Sequence, residues 1–152
     1  MFTVDASVHI NALNPVEDGS SESQLFLERI SRRPWPVVSP ILLLVEVAAA
    51  VARVFDDAEL GVAMSRVIRG LPGQMWVPLD DALAGEAVRL ASQYRVRGAD
   101  AVYAAIAWRY EATLVTRDRQ QLERLHSTLS VMTPVQALAR LGMEEGQSRE
   151  VE

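Results

Sequence analysis

The segment that decides the fold is PWPVVSPILLLVEVAAAVA, residues 34–52. Its proline-flanked start predicts a short strand. The longer apolar run that follows predicts a helix, with Ser39 as its cap and Pro40 in its first turn, where proline is well tolerated. This helix carries one acid, Glu46, among apolar neighbours. An ionised carboxylate is costly in such surroundings unless it is paired or bound to a metal ion, so the rest of the chain must explain Glu46.

Short apolar runs alternate with helical patterns along the remaining sequence. Further strands are predicted at residues 1–4, 75–79, 112–116 and 130–133. Strands that alternate with helices indicate an α/β domain with a parallel sheet. The last predicted helix is followed by a polar, acidic segment. We therefore predict one folded domain over residues 1–141 and a disordered acidic tail over residues 142–152.

The composition is that of an ordinary globular protein. The chain has 152 residues, of which 49% are hydrophobic and 23% are charged, and this length fits one domain. The opening residues, MFTVDASVHI, lack the basic start and long apolar stretch of a signal peptide. No apolar run reaches the roughly 18 residues that a membrane span needs. We therefore expect a cytoplasmic protein with no membrane partner.

The missing residue types exclude several chemistries. Cysteine is absent, which removes disulfides, thiolate nucleophiles and cysteine zinc sites. Lysine is also absent, since all 15 basic residues are arginine, and this excludes P-loops and Schiff-base catalysis. The two histidines, His9 and His126, lie far apart in the chain. A histidine metal site or a histidine proton relay is therefore poorly supported.

Four acids occupy unusual positions. Asp5 directly follows the first predicted strand, and Asp118 comes two residues after the fourth; Asp100 begins an apolar helix, and Glu46 lies inside one. Ligands of parallel sheets bind beyond the carboxyl ends of the strands, which is where Asp5 and Asp118 fall. The structural alternative is that the three aspartates only cap helices and that Glu46 forms a buried ion pair, for example with Arg97.

A cluster of these carboxylates would need a cation, because like charges at short range cannot all ionise without one. Oxygen ligands with no cysteine or histidine among them favour Mg²⁺, with Mn²⁺ as an alternative, over Zn²⁺. Such ions activate a water molecule and stabilise the leaving oxygen of a phosphodiester. This chemistry requires neither a nucleophilic side chain nor a lysine, so the sequence is compatible with metal-dependent phosphodiester hydrolysis.

Four motifs in order resemble those of the PIN domain family. They are VDAS at 4–7, the apolar helix with Glu46, RGADAVYAAIA at 97–107 and LVTRD at 114–118. The resemblance spans residues 1 to 139, and four motifs at suitable separations are fairly specific. It implies an α/β fold, a PIN-like α/β/α sandwich with a short-stranded parallel central sheet, and an acidic metal-binding pocket.

The resemblance also assigns the site residue by residue. It implies that catalysis and metal binding fall to four acids, which are Asp5, Glu46, Asp100 and Asp118. It further implies that Ser7 and Thr116 orient the first and last of these acids. For both hydroxyl residues, capping or turn bonding is an equally good alternative. No acid of the family pattern is missing from this chain.

A biological role follows from the same resemblance. Compact single PIN domains of this size are most often similar to VapC-type toxins, which implies a Mg²⁺-dependent endoribonuclease, a VapB-like antitoxin partner and a homodimer. The apolar residues between 41 and 70 are candidates for the dimer or antitoxin surface, although core packing is the more common role. Two alternatives stay open: a non-toxin PIN nuclease in RNA processing, and a catalytically inactive PIN-like module that binds proteins.

The net charge of −5 needs an explanation in a protein that acts on RNA. Proteins that coat nucleic acid are usually basic, so local features must supply the attraction here. A bound metal ion changes the sign of the charge in its pocket. Arg117 and Arg119 bracket Asp118, and we predict that they contact RNA phosphates. The alternative is that both are solvated surface charges.

Overall fold

A computed structural model of the protein describes residues 1–33 and 35–150. Strands and helices alternate in this part of the chain. The strands are β1 (Phe2–Val4), β2 (Val37–Pro40), β3 (Gln74–Val77), β4 (Thr113–Val115) and β5 (Val131–Met132). The helices are α1 (Ala6–Ala12), α2 (Ser20–Arg32), α3 (Leu42–Phe55), α4 (Ala58–Arg69), α5 (Asp81–Tyr94), α6 (Gly98–Arg109), α7 (Arg119–Leu125) and α8 (Pro134–Glu150).

The strands form one parallel sheet in the order β3-β2-β1-β4-β5. Helices cover both faces, so the predicted α/β/α sandwich with a parallel central sheet is confirmed. From β1 the chain first extends the sheet towards β3, and it later adds β4 and β5 on the other side of β1. Ligands of open parallel sheets bind at such a reversal of strand order, which lies here between β1 and β4.

Neighbouring strand residues contact different layers of the core, because side chains alternate across a strand. Val37 and Val115 pack with α2 and α8 on one face, whereas Val38 and Leu114 pack with α3, α5 and α6 on the other. The central helix α6 is buried at every position from Ala101 to Ala107. This burial accounts for its nearly continuous apolar sequence.

The helices α3 and α4 pack closely against each other. A Cβ atom at Gly61 of α4 would lie 2.5 Å from the carbonyl oxygen of Ala48 in α3, so the close approach requires glycine. Asp57 begins α4 as its N-cap and accepts a hydrogen bond from the Leu60 amide at 2.9 Å. This packing supports α3, the helix that carries Glu46.

The start of α3 differs from the prediction. Ser39 does not cap the helix, because β2 continues to Pro40 and the N-cap residue is Ile41. Ser39 and Pro40 instead pair in parallel with Trp76 and Val77 of β3, and the buried Ser39 hydroxyl donates to the Gln74 side chain at 3.1 Å. The two residues that the sequence places at the start of the helix therefore belong to the sheet, and the Ser39 hydroxyl bonds a neighbouring strand instead of capping α3.

The last helix, α8, comprises Pro134–Glu150 and so continues beyond Gly142, where the tail is predicted to begin. Residues 151 and 152 of that predicted tail lie outside the described residues. The domain limits of 1–141 and 142–152 stay a prediction. None of the helices in the described ranges is long and apolar enough to cross a membrane.

Candidate active site

The carboxyl ends of β1 and β4 meet at the reversal of strand order. Val4 pairs with Val115, so the residues that follow them, Asp5 and Thr116, are neighbours across the two strands. The Asp5 amide donates to the Val115 carbonyl at 2.9 Å. The parallel pairing therefore brings together two polar side chains that are 111 residues apart in sequence.

Asp5 is buried and is held by two hydroxyl groups. Its Oδ2 accepts hydrogen bonds from Ser7 Oγ at 2.5 Å and from Thr116 Oγ1 at 3.0 Å. Asp5 stands at the N-cap position of α1, but its side chain makes no capping hydrogen bond there, and the two hydroxyls are its side-chain partners. Burial raises the pKa of the Asp5 carboxyl above its ordinary value, while the two hydroxyl bonds act in the opposite direction.

The same two hydroxyl groups connect Asp5 to the loop between β4 and α7. Ser7 Oγ accepts from the Arg117 amide at 3.1 Å, and Thr116 Oγ1 accepts from the Asp118 amide at 3.0 Å. Each hydroxyl thus donates to a carboxylate and accepts from a loop amide. Both hydroxyls thus hold the carboxylate of Asp5, whereas Thr116 bonds only the backbone amide of the last acid, Asp118. The orienting role of the two hydroxyls stays a prediction, and turn bonding by the same groups occurs alongside these contacts.

Glu46 reaches the site from α3 and is partly buried. Its Oε2 accepts a hydrogen bond from the Tyr103 hydroxyl in α6 at 2.6 Å. Burial raises the pKa of the Glu46 carboxyl, the Tyr103 bond lowers it, and the nearby Asp5 raises it further. The described residues contain no ion pair between Glu46 and an arginine. The candidate partner, Arg97, instead has its Nη1 at 3.8 Å from Asp118 Oδ2.

Asp100 lies in the first turn of α6, whose N-cap position is occupied by Arg97, so Asp100 is not the cap of its helix. Its Oδ1 accepts a hydrogen bond from Gln121 Nε2 at 3.1 Å. Its Oδ2 is buried and has no hydrogen-bond partner among the described residues. Burial, followed by proximity to Asp5 and Asp118, raises the pKa of the Asp100 carboxyl to about 6. Such a carboxyl is a candidate for binding a cation.

Asp118 both caps a helix and lines the cavity described below. Its Oδ1 accepts from the Gln121 amide at 3.0 Å and caps α7, as the structural alternative predicts. Its Oδ2 is the atom that faces Arg97, whose side chain is 72% exposed. Capping therefore uses one carboxylate oxygen and leaves the other for contacts on the side of Arg97.

A single open cavity of about 450 Å³ brings the predicted acids together. Its walls come from the residue after β1 and from α1, from α3, from the start of α6 and from the loop before α7. The small residues Ser7 and Ala49 take part in the lining. The charged side chains that line it are Asp5, Glu46, Asp100, Asp118, Arg53 and Arg97.

The predicted phosphate contacts, Arg117 and Arg119, do not line this cavity in the described structure. Arg117 Nη2 donates to the carbonyl of Asp18 at 2.6 Å, and its guanidinium lies against Gly19. Arg119 pairs with Glu123 on the surface of α7. Arg117 is thus bonded to the turn before α2, and Arg119 is paired within α7. The arginines that line the cavity are Arg53 and Arg97.

The donor set fits a hard divalent cation. Carboxylate oxygens are the ligands that Mg²⁺ and Mn²⁺ prefer, and the buried Oδ2 of Asp100 is an acceptor without a protein donor within the described ranges. No group of three Asp, Glu or His side chains in the described part of the chain is already arranged to hold an ion. Burial raises the pKa values of Asp5, Glu46 and Asp100, and repulsion by neighbouring acids raises those of Glu46 and Asp100 further. We therefore expect the carboxylates to move closer together when a cation binds.

Besides the two arginines of the cavity, the sequence prediction lacks two residues that form hydrogen bonds to the acids. Tyr103, which is fully buried, lies three residues after Asp100, so helical spacing places both on one face of α6. That spacing could have identified it. Gln121 is buried as well and bonds Asp100, but nothing distinguishes it in sequence from its polar neighbours in α7.

The chain belongs to the PIN domain family, whose sequence profile matches residues 2–126. This match confirms the resemblance that the four motifs indicate. The matched range begins at β1 and ends just after α7. It therefore contains all the acids of the cavity.

Solved structures of toxin–antitoxin systems share the fold. A toxin–antitoxin complex from Klebsiella pneumoniae has a TM-score of 0.62 and 20% identity, over 88% of this chain and 98% of that chain. VapBC2 from Rickettsia felis, bound to a DNA fragment from its promoter, has a TM-score of 0.65 and 14% identity, over 87% and 97%. VapC20 from Mycobacterium tuberculosis, a toxin that cleaves the sarcin–ricin loop, has a TM-score of 0.61 and 13% identity, over 75% and 87%.

These identities are low enough that the likeness shows the fold alone. A comparison with curated proteins finds no match. The specific reaction of this chain must therefore be argued from its own cavity.

Proposed function

We propose that this PIN domain protein is a Mg²⁺-dependent endoribonuclease that hydrolyses RNA phosphodiester bonds, with Mn²⁺ as an alternative ion, and that it is the toxin of a VapBC-type pair. The observation that carries the proposal is the convergence of Asp5, Glu46, Asp100 and Asp118 on one cavity at the reversal of strand order. Membership of the PIN family supports a nuclease. The names of its structural neighbours favour a toxin.

The cavity gives each acid a distinct setting. The hydroxyls of Ser7 and Thr116 hold Asp5 in one orientation, so it offers a fixed ligand. Asp100 offers an oxygen that no donor of the described chain occupies. A divalent ion bound to such carboxylates supplies a water molecule activated at neutral pH and stabilises charge on the leaving oxygen.

Glu46 would be a further metal ligand. Its carboxylate lines the same cavity as those of Asp5, Asp100 and Asp118, so it would complete the oxygen donors that the site offers to a divalent ion. The Tyr103 hydroxyl holds the carboxylate by a hydrogen bond of 2.6 Å. Loss of that bond would leave the carboxylate free to turn away from the ion.

Cleavage of labelled single-stranded RNA by the purified protein tests this proposal. We expect cleavage in Mg²⁺, none in EDTA, and a loss of about 10³-fold in Asp5→Asn and in Asp100→Asn, since metal catalysis supplies several kcal/mol of transition-state stabilisation. Asp81→Asn is the matched control, because Asp81 is an exposed acid at the start of α5. Full activity in the Asp5→Asn, Asp100→Asn double variant would contradict the proposal.

Metal titration separates the enzyme from an inactive binding module. Binding of an ion to the folded protein raises its melting temperature, and the stabilisation grows with the logarithm of the ion concentration once that exceeds Kd. We expect a rise on addition of millimolar Mn²⁺, and no rise in the Asp5→Asn variant. An unchanged melting temperature in the wild-type protein favours the module.

The proposal includes a homodimer, a VapB-like antitoxin and a cytoplasmic location, where RNA is available. Support comes from the neighbours named as toxin–antitoxin complexes and from apolar side chains exposed on α3 and α4. These are Val45, Val54, Phe55, Leu60, Val62 and Val67. Light scattering tests the dimer. A short adjacent reading frame for a DNA-binding protein would favour the toxin over a nuclease of RNA processing.

A further inference from the structure

One wall of the carboxylate cavity is a single face of α3. Glu46, Ala49, Ala50 and Arg53 all line the cavity, and their spacing of three, four and seven residues places them on the same side of a helix. A rise of 1.5 Å per residue puts Arg53 roughly 10 Å along the helix axis from Glu46. The two alanines between them carry only methyl groups, so the wall is low and open there.

Arg53 is the arginine of this wall whose guanidinium is not committed elsewhere. Its side chain is exposed, and within residues 1–33 and 35–150 no hydrogen bond or ion pair involves it. The other arginine that lines the cavity, Arg97, has its Nη1 at 3.8 Å from Asp118 Oδ2. An arginine with all its donors available at the edge of a cavity is well suited to bind a phosphate.

The charge of the cavity explains why such a contact is needed. Four carboxyl groups line it, in a protein of net charge −5, so the site by itself repels a polyanion. A divalent ion offsets part of that charge at the reacting phosphate. The neighbouring phosphates of the same strand still need cationic partners of their own.

We propose that Arg53 is a substrate-positioning residue, whose guanidinium binds an RNA phosphate next to the one that is cut, while the strand lies along the α3 wall over Ala49 and Ala50. This inference rests on the proposed function, because it takes the carboxylate cavity as the place of cleavage. It adds the path of the substrate and a contact that does not involve the metal ion. A structural alternative, in which Arg53 is only a solvated charge, predicts no effect on RNA.

Two measurements on Arg53→Ala test the contact. Binding of a labelled single-stranded RNA in EDTA is followed over a series of salt concentrations, and cleavage is measured in Mg²⁺. Loss of one phosphate contact lowers the slope of log K against log salt by about 0.7. We also expect KM to rise roughly tenfold with kcat little changed, since a contact made equally in ground and transition states affects KM alone.

Three further variants separate this role from a structural one. Arg53→Lys keeps the charge, so it should retain the salt slope and recover most of KM. Arg66→Ala is the matched control, because Arg66 is an exposed arginine on the adjacent helix α4 and does not line the cavity of the described structure. Ala49→Leu fills the open part of the wall at an exposed position, and should raise KM without lowering the melting temperature.

The outcomes distinguish this inference from the proposed function. If the wild-type protein cleaves RNA and Arg53→Ala has the same KM and salt slope, the inference is overturned and the nuclease stands. If RNA binding depends on Arg53 but neither Mg²⁺ nor Mn²⁺ supports cleavage, the nuclease is overturned, and with it the place of the contact beside a cut phosphate, while Arg53 is retained as an RNA-binding residue. If the wild-type protein neither binds nor cleaves RNA, both are overturned.

Discussion

The two sides of the carboxylate cavity are held in different ways. On the strand side, the ends of β1 and β4 hold Asp5 by two hydroxyl groups that also accept from loop amides. On the helix side, Glu46 of α3 has one tyrosine donor, and Asp100 of α6 has a buried oxygen with no partner in the described chain. Hydrogen bonds thus fix the strand side before any ion binds. The helix side retains repulsion that an ion would relieve.

The largest effect on stability is expected on the strand side, in Thr116→Val. The buried Thr116 hydroxyl donates to Asp5 and accepts from the Asp118 amide, and valine replaces it with an apolar group of similar size. Loss of both bonds should lower the free energy of unfolding by about 2–4 kcal/mol, measured by urea denaturation. Ser7→Ala, at a less buried position, should cost less. Equal stability of Thr116→Val and wild type would mean that the strand side is not held by this network.

On the helix side, Tyr103→Phe should weaken metal binding. The variant removes the hydroxyl that holds Glu46 and leaves the buried ring in place. Removal of a group that orients a metal ligand typically lowers affinity by about 10–100-fold, which a calorimetric titration with Mn²⁺ would measure. Tyr110→Phe at the end of the same helix is the control. Unchanged Mn²⁺ affinity in Tyr103→Phe would place Glu46 outside the metal site.

The sequence predicts the strand side better than the helix side, and the reason is geometric. Residues that follow parallel strands must meet at one edge of the sheet, so the positions of Asp5 and Asp118 follow from the predicted strands alone. The role of Thr116 comes from the family resemblance instead. Contacts between helices depend on packing angles and on side-chain rotamers. Tyr103 can still be inferred from sequence, because its spacing from Asp100 places both on one face of α6. No feature of the sequence indicates that Gln121 is buried.

The arginines illustrate a further limit of sequence. Arg117 is adjacent to Asp118 in the chain, but its guanidinium lies against Gly19, a residue with φ of 73° in the turn before α2. Arg53 is distant in sequence from three of the four acids but lines the same cavity. The direction of a long side chain is set by the neighbouring chain segments, and these are not apparent from its position beside a motif.

A smaller effect, of opposite sign to that of Thr116→Val, is expected from Asp100→Asn without metal. The Asp100 pKa of about 6 lies above the ordinary value of 3.8, so the unfolded chain loses this proton at lower pH than the folded protein does. The ionised group therefore destabilises the metal-free fold as pH rises from about 4 to 6. Asparagine carries no charge, so the variant should be more stable than wild type at pH 7, by about 1 kcal/mol after allowance for solvent screening.

Thermal melting in EDTA between pH 4 and pH 8 measures this difference. We expect the gap between Asp100→Asn and wild type to close as the pH falls from 7 to about 4, because Asp100 then becomes protonated in both the folded and the unfolded wild-type chain. Asp81→Asn should show no such dependence. A variant less stable than wild type at neutral pH would indicate that Asp100 contributes a structural bond, as the strand-side residues do.

The smallest effect is expected for Arg119→Ala, which belongs to neither side of the cavity. Its ion pair with Glu123 joins side chains that are 88% and 58% exposed, and such surface pairs contribute little because water and salt screen them. The melting temperature and the KM for RNA should both match those of wild type. A rise in KM equal to that of Arg53→Ala would mean that the RNA strand also crosses α7. A phosphate contact would then lie outside both sides of the cavity, and the α3 wall would not be the only part of the molecule that positions the substrate.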